Sequence, residues 1–246
     1  MTDKISRLCN MIAASRRIVF FGGAGVSTES GIPDFRSEDG IFSAIRDYGY
    51  PPEELLSHTF FARRPDVFFK YYKNLLLCTD ARPNKAHIAL ARLEELGKLT
   101  AVVTQNIDGL HQIAGSKNVY ELHGSIHRNY CTKCHRFFDV EYVKKHSGIP
   151  YCPCGGMIKP DVVLYEESLD MDTMQGAMTH ILRADMLIVG GTSLQVYPAA
   201  GFISYYSGDK MVLINKSSTP FDSNADLVIN EPIGIVMNQI MTAIDH

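Results

Sequence analysis

Gly22-Gly23-Ala24-Gly25-Val26-Ser27-Thr28-Glu29-Ser30-Gly31-Ile32-Pro33-Asp34-Phe35-Arg36 joins a glycine turn to a polar, aromatic loop, and its reading decides the fold. Just before it, Arg17-Ile18-Val19-Phe20-Phe21 is a short apolar run of the kind that forms a buried parallel strand. A strand that runs into small residues and then a helix makes a phosphate-binding turn. Without side chains in the way, the backbone approaches a pyrophosphate held at the helix N-terminus. The hydride-transfer fingerprint Gly-x-Gly-x-x-Gly is incomplete, because alignment on Gly23 and Gly25 puts Thr28 where the third glycine belongs. Gly31 and Pro33 break the following helix, and Pro33 biases Ile32 toward extended backbone. Phe35 and Arg36, beside such a turn, read as part of a lid.

Working outward, Ile5, Leu8, Cys9 and Ile12 fall on one helical stripe ahead of the strand. Val67, Phe68, Tyr71, Tyr72 and Leu75 recur at helical steps over 65–77, a stripe whose plain reading is packing. Residues 84–96 form an amphipathic helix closed by Gly97, and a second buried strand follows over 99–104. Further short strands are expected at 119–122, 184–189, 210–214 and 226–229. A last helix over 232–244 places Ile233, Val236, Met237, Ile240 and Ile244 on one face. Strands alternating with helices give an α/β fold, a Rossmann-like, doubly wound parallel sheet with right-handed crossovers. A smaller inserted module, part helical and part zinc ribbon, completes it. The expected division is a nucleotide-binding domain over 1–33, 84–124 and 159–246, a helical lid over 34–83, and a metal-binding module over 125–158.

With 24 Lys and Arg against 27 Asp and Glu, the formal charge of -3 supplies no global attraction for nucleic acid or an anionic membrane. No apolar run approaches the ~18 residues of a membrane span, so a cytoplasmic protein is expected. Four of the six cysteines, Cys131-x-x-Cys134 and Cys152-x-Cys154, crowd together at ligand-like spacing, while Cys9 and Cys78 stand alone. Four thiolates with no carboxylate and no open position suit a closed, tetrahedral, structural Zn(II) site. Pro153 leaves only one spacer residue in the second pair, and Gly155-Gly156 supplies compensating freedom. A ribbon of this kind also serves nucleic-acid binding, but Lys133, Arg136, Lys144, Lys145 and Lys159 are offset by Asp139 and Glu141 and lack interleaved aromatics.

The stretch 22–36 resembles the first signature of the sirtuins, NAD-dependent protein deacylases, and later segments match in the same order. These are Thr104-Gln105-Asn106-Ile107-Asp108, Leu122-His123-Gly124, the four cysteines, Pro160-Asp161-Val162-Val163-Leu164-Tyr165, Gly190-Gly191-Thr192-Ser193-Leu194 and Val212-Leu213-Ile214-Asn215. The resemblance spans about residues 5 to 240 and is to bacterial members of the family. It implies that His123 is the general base, acting on a ribose hydroxyl after the acyl oxygen of an acyl-lysine has displaced nicotinamide. An imidazole titrating near pH 6.5 suits that task, worth about 10² to 10⁴ in rate. Asn106 would position the ribose and a water. Asp108, with Ile107 beside it, would hold the nicotinamide carboxamide, although an aspartate there also reads as a helix N-cap. Gly23, Ala24, Gly25, Thr28, Asp34, Phe35, Arg36, Gln105, Gly191, Thr192, Ser193, Asn215 and Ile233 complete the implied NAD contacts.

By the same resemblance Val162, Val163, Leu164 and Tyr165 would pair as a strand with an acetylated protein or peptide, with Val196 beside it. Relatives carry Gly-Glu after this run; here Glu166-Glu167 adds a carboxylate that would favour basic peptides. Members that prefer acidic acyl groups present a tyrosine and, three residues later, an arginine. Counted from Tyr72 that position is Leu75, so acetyl and other neutral groups are expected, with Lys73 the one cation close enough to substitute. Two other readings use the same residues: mono-ADP-ribosyl transfer from NAD, and a non-catalytic zinc-ribbon adaptor or NAD sensor.

Overall fold

The computed structural model describes residues 3–34 and 37–244. Helix α1 (Asp3–Ala13) buries Ile5, Leu8 and Ile12 and leads into β1 (Ile18–Gly22), every residue of which is buried. The expected α-helix after the glycine turn is instead two 3-10 turns, Ala24–Val26 and Thr28–Ser30. Glycines propagate a helix poorly. The turn is fixed from outside, by a bond from Gly25 N to Gly191 O at 2.8 Å, and Gly31 at φ 82 ends it.

Next come α2 (Glu38–Tyr48), α3 (Pro52–Leu55), α4 (His58–Arg63) and α5 (Pro65–Tyr71), which runs into a π-helical turn over Tyr72–Leu76. Ser37 and Ser57 cap α2 and α4 by accepting from Gly40 N and Phe60 N. Helix α6 (Lys85–Glu95) starts with a reciprocal cap between Asn84 and His87, and is followed by β2 (Leu99–Thr104), α7 (Leu110–Ile113) and β3 (Val119–Glu121). The cysteine-bearing stretch supplies β4 (Gly124–Cys131), β5 (Phe137–Asp139), α8 (Val140–Lys145) and β6 (Ile158–Val162). The chain then returns through α9 (Met171–Arg183), β7 (Met186–Gly190), β8 (Met211–Ile214), β9 (Leu227–Ile229) and α10 (Ile233–Ile244).

Six strands form one parallel sheet in the order β3-β2-β1-β7-β8-β9. The two-residue period of β1 sends Ile18 and Phe20 to a core shared with α1, α6 and α10, and Val19 and Phe21 to one shared with α9. Both faces are thereby covered, which is the doubly wound arrangement.

A separate antiparallel sheet, β5-β4-β6, shares its apolar core with α3, α4 and α5: Phe61, Phe68, Phe69 and Tyr72 pack with Ile126, Ile158, Cys131 and Cys152. The helical insert and the cysteine-bearing insert are thus one packed body. Lys73 fastens them further, its Nζ donating to the carbonyls of His146 and Gly148. The expected division at 158/159 cuts through β6, which pairs with β4 from Gly124↔Val162 to Cys131↔Ile158 and so belongs to the small sheet. Its edge position tolerates Pro160, which lacks the N–H a central strand needs.

Beneath the large sheet's cleft end, the rings of His87 and His111 lie 4.7 Å apart, with His111 also against Phe20. His87 Nδ1 accepts from Asn84 N, whereas His87 Nε2 and both nitrogens of His111 are buried without a partner. Burial pushes His87 down to about 4, partly opposed by the Asp108 charge; burial, and then the His87 charge, hold His111 well below a free imidazole. The unfolded chain therefore takes up these protons first. The stability they allow is complete above about pH 6.5 and is lost as pH falls toward 4, at up to about 1.4 kcal/mol per pH unit for each ring. Urea unfolding at pH 7 and pH 5 measures this, and His111→Phe is expected to flatten the acid limb. An equal pH slope in parent and variant would count against it.

Candidate active site

In an open parallel sheet, ligands sit beyond the carboxyl ends of the strands where the order reverses, here between β1 and β7. A cleft of about 1140 Å³, open to solvent, occupies that place. Of the residues expected from sequence, Ala24, Gln105, Asn106, Ile107, Asp108 and His123 line it, as do Val162, Val163, Leu164, Tyr165 and Val196 on the opposite wall.

His123 Nδ1 donates to the Gln105 carbonyl at 2.9 Å, which fixes the tautomer and leaves the basic lone pair of the neutral ring on Nε2. The residue after it has φ 75, and a Cβ there would lie 1.9 Å from Asp161 O, so only glycine can follow His123 at this junction of the two sheets. Asp108 accepts from Ser27 Oγ at 2.7 Å and from Leu110 N at 2.9 Å, so the helix-cap reading also holds. Asn106 Nδ2 donates to the same Ser27 hydroxyl at 3.0 Å. Ser27, fully buried, thus binds together two residues that the sequence places 79 and 81 positions away. It lies inside the stretch that decided the fold, but nothing local marks it as more than a small turn residue.

The glycine turn packs backbone on backbone against the loop after β7. A Cβ on Gly25 would lie 2.8 Å from Gly191 Cα, and one on Gly23 2.9 Å from Thr192 Cβ. Thr192 accepts from Gln105 Nε2, and its N–H donates to Asn215 Oδ1. Asn215 Nδ2 is buried with no partner, the state expected of a donor meant for a ligand oxygen. Thr28 turns its hydroxyl onto Gly25 O, Ser193 is exposed, and Ile233 is core, packed beside Gly190. The Asp34 carbonyl accepts from Ser37 N. Phe35 and Arg36 lie outside the described residues. Asn84 is a further residue the sequence did not single out. Its Nδ2 donates to Val26 O and Ser30 Oγ while Oδ1 caps α6, which ties the turn to that helix.

The Sir2 family profile matches residues 23–198. The chain belongs to the Sir2 family. It is 60% identical over 243 residues to an NAD-dependent protein deacetylase of Clostridium perfringens, covering 98% of this chain and 100% of that one. A solved structure of Sir2 with a p53 peptide and NAD+ superposes with a TM-score of 0.88 at 38% identity, covering 98% and 99% of the two chains. Another, of Sir2 with an inhibitor, 2'-O-acetyl-ADP-ribose and deacetylated p53 peptide, gives 0.86 at 38% identity with the same coverage.

On the peptide side of this Sir2 chain, much of the run 162–165 is already bonded. Val163 N donates to His123 O, Tyr165 N to Leu56 O, and Leu164 N to Glu167 Oε2. Glu166 stands at φ 75, a left-handed conformation that costs a residue with a Cβ about 1–2 kcal/mol. Its carboxylate offsets this by accepting from Thr59 N at 2.9 Å and Thr59 Oγ1 at 2.7 Å at the start of α4. The carboxylate expected to meet a basic peptide is therefore turned onto a helix N-terminus, and Glu167 is bonded to Lys159 and His58. Leu75 and Leu76 form the acyl-side wall, and Tyr72 is buried and stacked on Phe68. Lys73 cannot stand in for an arginine there, because both of its bonds go to carbonyls of the metal module.

The sulfurs of Cys131, Cys134, Cys152 and Cys154 lie within 4.8 Å of one another, with closest pairs at 3.4 to 3.6 Å. Four sulfurs on one Zn(II) at about 2.3 Å stand about 3.8 Å apart, so the donor set fits a tetrahedral structural zinc. N–H groups of Lys133 and Cys134 point at Cys131 Sγ, and a Cβ on Gly156 would come within 2.5 Å of it. Burial disfavours the Cys131 thiolate, but those N–H groups outweigh it and hold the thiol down at about 6. Stripping the metal with a strong chelator is expected to lower the midpoint of thermal unfolding by more than about 5 °C. It should also speed hydrogen exchange across 126–162 before the large sheet. An unchanged midpoint in metal-free protein would refute a structural role.

Proposed function

We propose that this chain removes acetyl groups from lysine side chains of proteins with NAD as co-substrate, releasing nicotinamide, O-acetyl-ADP-ribose and the free lysine. The observation that carries this reading is the convergence of His123, Asn106 and Asp108 on one cleft, with the His123 tautomer set for a base at Nε2. NAD supplies the chemistry: its glycosidic carbon loses nicotinamide to the acyl oxygen, and its ribose then receives the acyl group.

The chain's own part is to bind, orient and move one proton. His123 Nε2 takes the ribose hydroxyl proton, while the bond from Nδ1 to the Gln105 carbonyl steadies the imidazolium that results. Asp108, oriented by Ser27, accepts from the nicotinamide carboxamide with Ile107 beside it, and Asn106 orients the ribose and a water. Ala24, with Gly23, Gly25, Thr28 and Asp34, cradles the phosphates beside Gly191, Thr192 and Ser193. Asn215 Nδ2 meets the adenosine ribose, and backbone near Ile233 meets the adenine. Val162 to Tyr165, together with Val196, hold the peptide by main-chain pairing. The apolar wall of Leu75 and Leu76 selects acetyl and other neutral acyl groups, since no guanidinium or free ammonium stands there among the described residues.

We further place the protein in the cytoplasm, where four thiols stay reduced for a metal. Among the described residues no helix is long and apolar enough to cross a membrane. With a net charge of -3, an acetylated protein fits as partner better than nucleic acid.

Mass spectrometry of the products from NAD and an acetyl-lysine peptide tests the reading. O-acetyl-ADP-ribose is expected, and ADP-ribose retained on protein, or no nicotinamide at all, would overturn it. His123→Ala should lower turnover by about 10² or more while NAD still binds. A succinyl peptide should be processed more slowly than the acetyl one, and faster desuccinylation would contradict the neutral pocket.

A further inference from the structure

The ladder between β4 and β6 breaks between Ser125 and Asn129: Ser125 pairs with Asp161, and Asn129 with the adjacent Pro160. The segment 126–128 is thereby bulged out of the small sheet, and bulges beside active sites re-aim the residues they carry. Here they are aimed at the loop between β2 and α7. Ile126 N donates to Ile107 O at 3.0 Å, and His127 Nε2 lies 3.0 Å from Asp108 O. A carbonyl oxygen only accepts, so His127 carries a proton on Nε2 and donates it. Its ring also rests on Gly109, where φ is 73 and a Cβ would come within 2.8 Å of His127 Cδ2. Arg128 anchors the bulge by bonds to Glu121 at the end of β3 and to Asp161 on β6, each at 2.7 Å.

Two consecutive residues of β4 therefore grip two consecutive carbonyls of the loop that presents Asp108, and the same strand ends on the metal ligand Cys131. The Asp108 carboxylate is held by Ser27 and Leu110, and its backbone by His127. We propose that His127 is a positioning residue for the nicotinamide end of the cleft, and that through it the metal-binding module sets the geometry of Asp108. The inference rests on the function proposed above, since only an enzyme that releases nicotinamide uses Asp108 in this way.

Two variants of the full-length, metal-loaded protein separate the donor from the ring. His127→Phe keeps a flat ring against Gly109 and loses the donor, whereas His127→Gln keeps a donor on a different frame. Both are assayed for the KM of NAD, inhibition by added nicotinamide, the KM of an acetyl peptide, and hydrogen exchange at the amides of Gly109 and Leu110. The loss of one net hydrogen bond corresponds to about two- to tenfold. His127→Phe should weaken nicotinamide inhibition and raise the KM of NAD by that factor, leave the peptide KM unchanged, and speed exchange at both amides. His127→Gln should recover most of the loss. Parent-like constants in His127→Phe would overturn the proposal. So would equal impairment in both variants, which would assign the effect to packing. If the parent releases no nicotinamide, the exchange measurement still decides. Faster exchange in His127→Phe then upholds the clamp while the functional reading falls, and unchanged exchange overturns the clamp.

Discussion

Two loops leave the carboxyl ends of β1 and β7 and meet backbone on backbone at Gly25 and Gly191, joined by a single short hydrogen bond. That contact closes the sheet's switch point from below, and everything in the cleft is hung around it. Val26 and Ser27 follow directly and carry the bond to Asp108. Thr192 follows on the other side and carries the bonds to Gln105 and Asn215. The glycines serve a protein–protein contact inside the molecule as much as an approach by a phosphate. Side chains at either position would force the loops apart and separate the two halves of the nucleotide site.

The parts of this architecture that were legible in the sequence are those with local signatures. Apolar runs bounded by turn residues marked the six parallel strands, because a strand buried on both faces has little choice but Val, Ile, Leu and Phe. The cysteines declared a metal module by spacing alone. His123 and Asp108 were placed through the family resemblance, and the cleft brings them together as it implied. What stayed hidden was long-range or conformational. The 3-10 turns after β1 depend on a partner loop more than 160 residues away. Ser27 and Asn84 look like ordinary turn and cap residues until their second bonds are seen. Lys73 and Glu166 invited ligand roles as charged residues near a cleft, and tertiary bonds had already taken both.

The smaller body is a composite of segments 40 to 80 residues apart in sequence. Its aromatic helices cannot bury Phe61, Phe68 and Phe69 by themselves, and its three-stranded sheet is too small to stand alone; each supplies the other's missing face. The metal pins the far end of that shared core, and β4 delivers the near end to the nucleotide fold at His123 and Gly124. The architecture thus joins the cysteine cluster to the cleft by one strand rather than by a flexible tether.

Position 166 shows a different economy of design. Where relatives rely on a residue free to rotate, this chain holds the same left-handed backbone with a carboxylate clasped to the first turn of α4. The rim of the peptide groove is therefore set in advance, and an incoming substrate need not surrender its own binding energy to order it. Selectivity at this groove should consequently reflect how well a lysine-bearing segment fits a rigid frame, with little room for the frame to adapt to the segment.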